Sequence, residues 1–518
     1  MKTTVKNIII SFVAMVSLSL ISCENMLDTE QHGVKSIETF YKTDEDAEQA
    51  ITTVYLYYSN SGTYYNIFFL KNLLSDDFWS GGGGRGDNGE NEKLNEYTFD
   101  AEHPYMRDAF QNFYGVIYRS NLILENVPDE SSIQKRTRAE AKVFRAFAYI
   151  DLISMWGTPP FVDHTLQPAE YRQPNGDPAL LWELVETDLT EAISSGALRE
   201  KSNANDNSSY RITKQFAQAL LGKAYIFQEK YGSAVTVLDD AITSNKYDLF
   251  TGNYGDMLQF TDENNCESVF ELNYLNDPNN AAVINLVFAM TGWRTDKMTI
   301  TSDIYNGTWG FCNPQKELYD AFVSVEGANG YRLTETMKTY DQVKANGDQI
   351  IAGNELYGHE GYFMWKTRKV KGELNTGGWM DSHNNVRIMR FAEVLLLAAE
   401  AHIKGGTASK ATEYVNRVRT RAHLASKASV TMDDLMLEKR LELCGECVRY
   451  QDMLRWKIAD KMVNQGKNTP WFQSSATIRW VQYNTGDAAG FKTSKHWLLP
   501  FPQTELTLNP NITQNTGW

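Results

Sequence analysis

The sequence predicts a mainly α-helical protein in which paired helices form a scaffold and long irregular loop insertions form a ligand-binding surface. Two observations support this fold class. Apolar residues recur at helical spacing in several segments, and the long segments between them are rich in Gly, Asn, Asp and aromatic residues. Loops of such length in a compact protein are usually functional and are held in place by a rigid scaffold.

The clearest helix pair lies at residues 213–244. An apolar face runs from Thr213 to Phe227, and a second helix follows Lys230-Tyr231-Gly232. Small and large residues occupy the positions that a tetratricopeptide repeat needs where its two helices cross. These residues are Leu221, Gly222, Tyr225, Ala234, Leu238 and Ala241. The tryptophan of the ideal repeat is absent, and Gln218 stands in its place.

A weaker copy of this pattern spans residues 386–421. It predicts a helix from Val386 to Lys404 and a second helix from Lys410 to Arg421. Because one repeat cannot bury its apolar face alone, we expect at least ~3 stacked pairs. Further helices with suitable patterns are predicted at residues 45–57, 106–126, 137–155 and 178–194.

The four cysteines beyond residue 23 are too sparse for the disulfide framework of a small secreted domain. Cys444 and Cys447 form a C-x-x-C, but they lie in a helical pattern from Leu437 to Trp456 with no strand-to-helix turn before them. This context favours packed thiols over a redox or metal site.

The first 22 residues have the pattern of an export signal. Lys2 and Lys6 precede a short apolar run that ends at Leu20-Ile21-Ser22-Cys23. The run is too short to span a bilayer, which takes ~20 apolar residues. Leu at −3, a small residue at −1 and Cys at +1 resemble a bacterial lipobox, so we predict a lipoprotein signal peptide at 1–22 and acylation (palmitate) of Cys23. The alternative is an ordinary secretory signal with an incidental cysteine.

The charge of the chain restricts its partners. The formal net charge is −15, and removal of the two lysines in residues 1–22 changes it to −17. This balance argues against nucleic acid and anionic lipid head groups, which need clustered Lys and Arg. No Pro/Ser-rich linker or charge block divides the remainder, so residues 23–518 are predicted to form a single domain.

Motifs spread over nearly the whole chain indicate a family. They are Ser22-Cys23-Glu24, Ser75-Asp76-Asp77, Arg138-Ala139-Glu140-Ala141, Arg390-Phe391-Ala392-Glu393, Glu438-Lys439-Arg440-Leu441-Glu442 and Asp452-Met453-Leu454-Arg455-Trp456. The most specific is the closing segment from Leu498 to Leu506 with Asn509-Pro510-Asn511. In these motifs the chain resembles the SusD/RagB-like family of outer-membrane nutrient-binding lipoproteins of Bacteroidetes. The stretch Gly445-Glu446-Cys447 departs from the family pattern.

The resemblance implies about four tetratricopeptide-like helix pairs, no catalysis and no cofactor. It also implies a lipid-anchored outer-membrane protein, exposed at the cell surface, that captures oligosaccharide or polysaccharide. The expected partner is a SusC-like TonB-dependent transporter, to which the glycan is delivered. The alternatives are a family member that binds peptide or another nutrient, and a protein-binding repeat scaffold.

A glycan-cleaving enzyme is a further alternative that the sequence does not favour. Such an enzyme needs two convergent carboxylates ~5 to 9.5 Å apart. Asp76 and Asp77 are adjacent in sequence and must point apart on a regular backbone. The chain also lacks the G-x-S-x-G, H-E-x-x-H and P-loop motifs.

A sugar presents a flat apolar face and a rim of hydroxyl groups, so its site needs exposed aromatic rings and forked polar side chains. The loop around Gly81 to Gly84 offers such residues, and family members use the corresponding loop for sugar contacts. A second cluster, which also contains Arg294 and Asp296, corresponds to the aromatic arc that the family places opposite that loop. The predicted ligand-binding residues are Trp79, Arg85, Asn88, Trp293, Tyr305, Trp309 and Trp379. The alternatives are a mobile loop tip, a Trp79 packed on the helix below, and a Trp309 buried beneath the helix that starts near Pro314.

Overall fold

The computed structural model describes residues 39–59, 61–208, 210–274, 285–371 and 384–518. The predicted signal peptide with Cys23, and Trp379, lie outside the described residues. Within the described part the chain is mainly helical and its strands are short. No helix there is long and apolar enough to cross a membrane.

The helices and strands of the first half are, in chain order, α1 (Asp44–Ser59), α2 (Ser61–Leu73), β1 (Phe78–Gly81), α3 (Gly89–Glu96), α4 (Pro104–Asn126), α5 (Ser132–Trp156), α6 (Pro178–Ser194), α7 (Lys214–Phe227), α8 (Tyr231–Thr243) and β2 (Ser268–Leu272). Those that follow are α9 (Val287–Thr291), β3 (Met298–Thr299), β4 (Phe311–Pro314), α10 (Lys316–Glu326), α11 (Tyr331–Thr336), β5 (Met337–Thr339), α12 (Tyr340–Ala345), β6 (Gln349–Ile350), β7 (Glu355–Tyr357) and β8 (Tyr362–Met364). The last part of the chain adds β9 (Val386–Arg390), α13 (Phe391–Gly405), α14 (Ala408–Arg421), α15 (Met432–Glu442), α16 (Arg449–Arg455), β10 (Thr469–Gln473), β11 (Ile478–Val481) and α17 (Gln503–Leu508).

The long helices pack as a stack in which each helix contacts the next. Helix α4 packs on α5, α5 on α6, α6 on α7, α7 on α8, α8 on α13, and α13 on α14. The pair α7–α8 matches the prediction at residues 213–244. The Thr213 side chain caps α7 by accepting from the Phe216 amide. A Cβ at Gly222 would lie 2.4 Å from Leu238 Cγ, so the close crossing needs glycine there. The predicted helix-pair scaffold is confirmed.

Two predicted helix boundaries are wrong. The segment from Val386 to Arg390 is strand β9, paired antiparallel with β2, and the helix begins only at Phe391. The helical pattern from Leu437 to Trp456 is broken between α15 and α16. Cys444 and Cys447 lie in that break as free thiols.

A buried ionic network, which we call the buried cluster, links α11, α14 and α15 to the end of β9. Its members are Glu267, Arg332, Lys366, Arg390, Arg421, Glu438, Glu442 and Glu446. Glu442 accepts from Arg332 and Arg390, both at 3.1 Å, and from Arg421. Burial alone would raise the pKa of this carboxyl, but Arg421, Arg390 and Arg332 lower it to about 2.

The segments predicted to be irregular loops contain several short antiparallel strand pairs. Strand β1 pairs with β4, β3 with β6, and β5 with β8, while β10 lies between β11 and β7. These pairs hold the loops against one another beside the helical stack. They determine which of the predicted binding residues meet.

Candidate functional site

The two loops predicted to bind ligand lie against each other. Strand pairing of β1 with β4 places Trp79 opposite Asn313. Beyond the pair, the Gly82 amide donates to Gly310 O (2.8 Å), and Lys297 Nζ donates to Gly83 O (2.8 Å). Partial burial, with Arg294 nearby, lowers the pKa of Lys297. The structure therefore joins the 81–88 loop to the 293–311 segment.

Glycine makes this close approach possible. Gly81 and Gly82 have positive φ values of 71° and 95°, a region that other residues rarely adopt. A Cβ at Gly81 would lie 2.2 Å from the carbonyl oxygen of Gly310. The base of the loop is thus fixed to the neighbouring segment.

A cleft of about 630 Å³ opens between the two loops, and we call it the candidate cleft. Its walls combine aromatic rings, a guanidinium, carboxylates and an amide. The lining residues are Tyr65, Asp87, Asn88, Met290, Arg294, Asp296, Gly307, Thr308, Trp309 and Phe311. Of the predicted binding residues, Asn88 and Trp309 line this cleft.

Arg294 is the central polar group of the candidate cleft. Its Nε lies 2.7 Å from Asp296 Oδ1, and one Nη lies 3.6 Å from Asp87 Oδ2. The same side chain donates to Trp309 O at 3.1 Å. Because 22 % of the Arg294 side chain is exposed, water or a ligand hydroxyl can compete for its donors. Arg294 therefore presents a forked donor to a cleft that Trp309 and Phe311 also line.

Asn88 is held in place at the opposite wall. Its Oδ1 caps α3 by accepting from the Asn91 amide at 3.1 Å. Its Nδ2 donates to the hydroxyls of Tyr65 (3.2 Å) and Tyr105 (3.0 Å). Burial, and Tyr105 next to it, raise the pKa of Tyr65, so this phenol stays neutral. Tyr65 and Asn88 are therefore uncharged polar groups held in fixed positions in the lining of the candidate cleft.

Trp293 does not present the exposed ring that we expected. It is 4 % exposed, and its Nε1 donates to Met364 O at 2.9 Å. Its ring packs against Phe363 and Trp365, at centroid distances of 5.2 and 6.1 Å. Its position corrects the predicted aromatic arc, because strands β5 and β8 bring core residues over this indole.

Trp79 is also largely buried, at 7 % exposure, and it lies outside the candidate cleft. Its Nε1 donates to Glu360 Oε2 at 2.9 Å, and its ring packs edge-on against Trp480. The expectation of a freely exposed Trp79 ring is therefore corrected. The direction of its indole, toward Glu360, follows from the pairing of β1 with β4.

Arg85 is exposed and Tyr305 is half-buried, and neither residue lines the candidate cleft. Arg85 pairs with Glu92 and Glu96 and stacks on the ring of Tyr483, 4.6 Å from its centroid. The Tyr305 ring lies beside Lys369 Nζ, 5.0 Å from the ring centroid. Ligand contacts from these two residues remain predictions.

The hairpin of β10 and β11 carries two tryptophans, Trp471 and Trp480, that are not among the predicted binding residues. Trp471 lies beside the loop, since a Cβ at Gly84 would be 3.5 Å from its ring. Trp480 is 50 % exposed. The available signal was a turn, Ser474-Ser475-Ala476-Thr477, between two aromatic-containing segments, which is typical of a hairpin.

Comparison with known proteins gives consistent results. Residues 351–518 match the model of the SusD family. A SusD-like protein of Formosa agariphila is 24% identical over 552 residues, covering 99% of this chain and 98% of that protein. A SusD-like protein of Bacteroides ovatus is 22% identical over 568 residues, covering 97% and 96%.

Solved structures agree over most of the chain. A laminarin-binding SusD-like protein superimposes with a TM-score of 0.77 at 26% identity, covering 92% of this chain and 100% of that one. Surface glycan-binding protein A from Bacteroides thetaiotaomicron, in complex with laminarihexaose, gives a TM-score of 0.70 at 23% identity, covering 91% and 99%.

Proposed function

We propose that this chain is a glycan-binding member of the SusD/RagB-like family that captures an oligosaccharide or polysaccharide in the candidate cleft. Residues 351–518 match the SusD family model, and SusD-like relatives align with nearly the whole chain. The observation that carries this proposal is that Arg294 and the half-buried Trp309 line one cleft between two loops. The ring supplies an apolar face for a sugar, and the guanidinium supplies forked donors for its hydroxyl groups.

The charges in the candidate cleft favour a neutral glycan. Asp87 and Asp296 both flank Arg294, so the two carboxylates outnumber the single guanidinium. An anionic polymer would meet net negative charge there, in a chain that is acidic overall. A neutral sugar can exchange hydrogen bonds with these groups without leaving a charge unpaired.

The same arrangement supports binding over catalysis. Both carboxylates of the candidate cleft are engaged by Arg294, whereas a glycosidase needs one protonated and one free carboxyl across the scissile bond. Incubation of the purified protein with a glycan that it binds should release no new reducing ends. Their appearance would overturn this part of the proposal.

We also propose how the protein is placed in the cell. Residues 1–22 are cleaved, Cys23 is acylated, and residues 23–518 form one domain at the outer-membrane surface. The glycan then passes to a SusC-like TonB-dependent transporter. The lipobox-like sequence and the family support this step. Metabolic labelling with a radioactive fatty acid should mark the wild-type protein and should not mark Cys23→Ala.

Affinity electrophoresis tests the binding function. The protein without residues 1–22 is run through gels that contain laminarin or other neutral and acidic polysaccharides. We expect retardation by a neutral polymer and its loss in Trp309→Ala. Tyr210→Ala is the matched control, because Tyr210 is 59% exposed and does not line the candidate cleft.

Two results would contradict the proposal. Retardation that survives Trp309→Ala would move the site away from the candidate cleft. Failure of every polysaccharide to retard the wild-type protein would favour the alternative of a peptide- or other nutrient-binding member of the family.

A further inference from the structure

The β10–β11 hairpin has tryptophans on both of its faces. Trp471 is paired with Arg479, and Pro470 is paired with Trp480. Paired residues share a face and successive residues alternate, so Trp471 and Trp480 project to opposite sides. Trp471 faces the loop at Gly84, and Asp87 and Asn88 of that loop line the candidate cleft. Trp480 faces Trp79 and a different cleft.

This second cleft, which we call the hairpin cleft, has a volume of about 760 Å³. One wall is formed by the rings of Trp480 and Trp79, whose centroids are 6.0 Å apart. Asn464, Gln465 and Asn468 contribute amide groups to it. A ring wall combined with amides is a suitable surface for a sugar, which has both apolar faces and hydroxyl groups.

The ring of Trp480 is supported by the protein and accessible at the same time. Trp79 is fixed from below, because its Nε1 donates to Glu360 Oε2, which also accepts from the Lys316 amide at 2.7 Å. Trp480 rests edge-on against this fixed ring while half of its surface stays exposed. A ligand that stacks on Trp480 therefore has little side-chain freedom to restrict.

Three carboxylates and two cations line the hairpin cleft, namely Asp76, Glu317, Glu360, Arg440 and Lys461. Asp76 pairs with Arg440 (3.2 Å), with Arg449 (2.8 Å) and with Lys461. By contrast, Gln465 Nε2 is buried and has no hydrogen-bond partner among the described residues. The carboxylates of Glu317 and Glu360 disfavour an anionic ligand, and the amides of the lining suit a neutral, hydroxyl-rich molecule.

We propose that the hairpin cleft is a second saccharide contact, with Trp480 as its stacking platform, for a neutral glycan chain that also occupies the candidate cleft. This proposal rests on the proposed function. The two tryptophans lie on neighbouring strands of one hairpin, and such strands are ~4.8 Å apart. Strand β11 is the outer strand of its sheet, so an extended chain can pass around it from one cleft to the other.

Contacts in both clefts should make affinity rise with ligand length. Once a long ligand is bound in one cleft, its contact with the other cleft becomes intramolecular. A trisaccharide can fill only one cleft, whereas a polymer can reach both. Removal of Trp480 should therefore weaken binding of long ligands and leave short ones unaffected. Removal of Trp309 should weaken both.

The experiment is calorimetry with a trisaccharide, a hexasaccharide and the polymer of the glycan that retards the protein. Wild type, Trp480→Ala, Trp480→Phe and Trp309→Ala are compared, with Tyr210→Ala as the exposed-aromatic control. We expect Trp480→Ala to lower affinity for the polymer about three- to tenfold, as the loss of one aromatic contact does. The trisaccharide affinity should not change, and Trp480→Phe should retain most of the polymer affinity.

Each outcome has a distinct meaning. Equal affinity of wild type and Trp480→Ala for all lengths, with a loss in Trp309→Ala, overturns the second contact and leaves the proposed function intact. An equal loss for all lengths in Trp480→Ala also overturns it, because the residue then acts on a single site. Absence of binding to any glycan overturns the proposed function and the second contact together. Circular dichroism checks that each variant is folded.

Discussion

The buried cluster and the candidate cleft both place an arginine between carboxylates, but in opposite surroundings. Arg390 is 1 % exposed, and its partners Glu442 and Glu446 are buried with it. Arg294 is 22 % exposed, and its partner Asp296 is 57 % exposed. The same pairing is therefore closed to solvent in one region, and in the other it is open to the ligand that we propose.

The difference follows from the cost of taking charges out of water. In the buried cluster each charge must be matched within the protein, so loss of one partner leaves the others uncompensated. In the candidate cleft, water replaces a lost partner, and the net strength of each pair is small. Exposed pairs can consequently open for a ligand, whereas buried pairs cannot.

Substitution of Glu442 should give the largest effect on stability. Glu442→Ala leaves Arg332, Arg390 and Arg421 facing one another, and we expect a loss of ~3 to 5 kcal/mol in the free energy of unfolding. Urea denaturation measures the change. The control is Glu186→Ala, which breaks the exposed pair with Lys230 and should cost less than ~1 kcal/mol. Equal losses in the two variants would contradict the distinction between the regions.

Removal of the buried Trp293 indole should destabilise the protein by a similar amount. This substitution tests whether Trp293 acts in stability or in ligand binding. Trp293→Ala deletes a core side chain and is expected to cost ~3 to 5 kcal/mol. Trp293→Phe loses mainly the hydrogen bond to Met364 O and should cost ~1 to 2 kcal/mol. Glycan affinity of the folded Trp293→Phe variant should match wild type. A large loss of affinity without a loss of stability would restore Trp293 as a ligand contact.

Stability should fall in acid because of the buried cluster. The pKa of Glu442 is about 2 in the folded protein, against an ordinary value of 4.5. A carboxyl with a lowered folded pKa contributes its full stabilisation above the unfolded pKa and loses it as the pH falls toward the folded pKa. The contribution of Glu442 should therefore disappear between about pH 4.5 and pH 2.

Comparison with Glu442→Gln isolates this effect. Burial also lowers the pKa of His359 to about 3, so the wild-type protein loses some stability in acid for a second reason. Urea denaturation of both proteins across this range should show a steeper decline for the wild type. Parallel declines would exclude Glu442 as the source.

Substitution of Arg294 should have the smallest effect on stability. Arg294→Ala removes an exposed pair, so the free energy of unfolding should change by less than ~1 kcal/mol. Glycan affinity should fall about tenfold through loss of charge-assisted hydrogen bonds. Calorimetry with the retarding glycan and urea denaturation of the same sample measure the two quantities. A loss of stability without a loss of affinity would assign Arg294 a structural role.

The helical scaffold could be predicted from the sequence because the residues that determine it lie close together in the chain. Thr213, Gly222 and the apolar spacing of α7 and α8 lie within one short stretch. The exception is Val386 to Arg390, where pairing with a distant strand, β2, overrides a helical pattern.

The candidate site could be predicted only in part, because the residues that shape it are far apart in the chain. Asn88 and Trp309 line the candidate cleft, whereas Trp293 and Trp79 are buried, which no local pattern shows. Their burial comes from strand pairs that join residues far apart in the chain. Trp480 was missed for the same reason, because its role depends on the distant Trp79.

The glycines of the 81–89 loop indicate where its sequence can vary during evolution or directed selection. Gly81 and Gly82 combine positive φ with neighbours that leave no room for a Cβ, so the base of the loop should be inherited unchanged. Gly89 has no atom within 4 Å of its missing Cβ, and Asp87 and Asn88 line the candidate cleft. A library aimed at new glycan preferences should therefore randomise residues 87–89 and preserve residues 81 and 82.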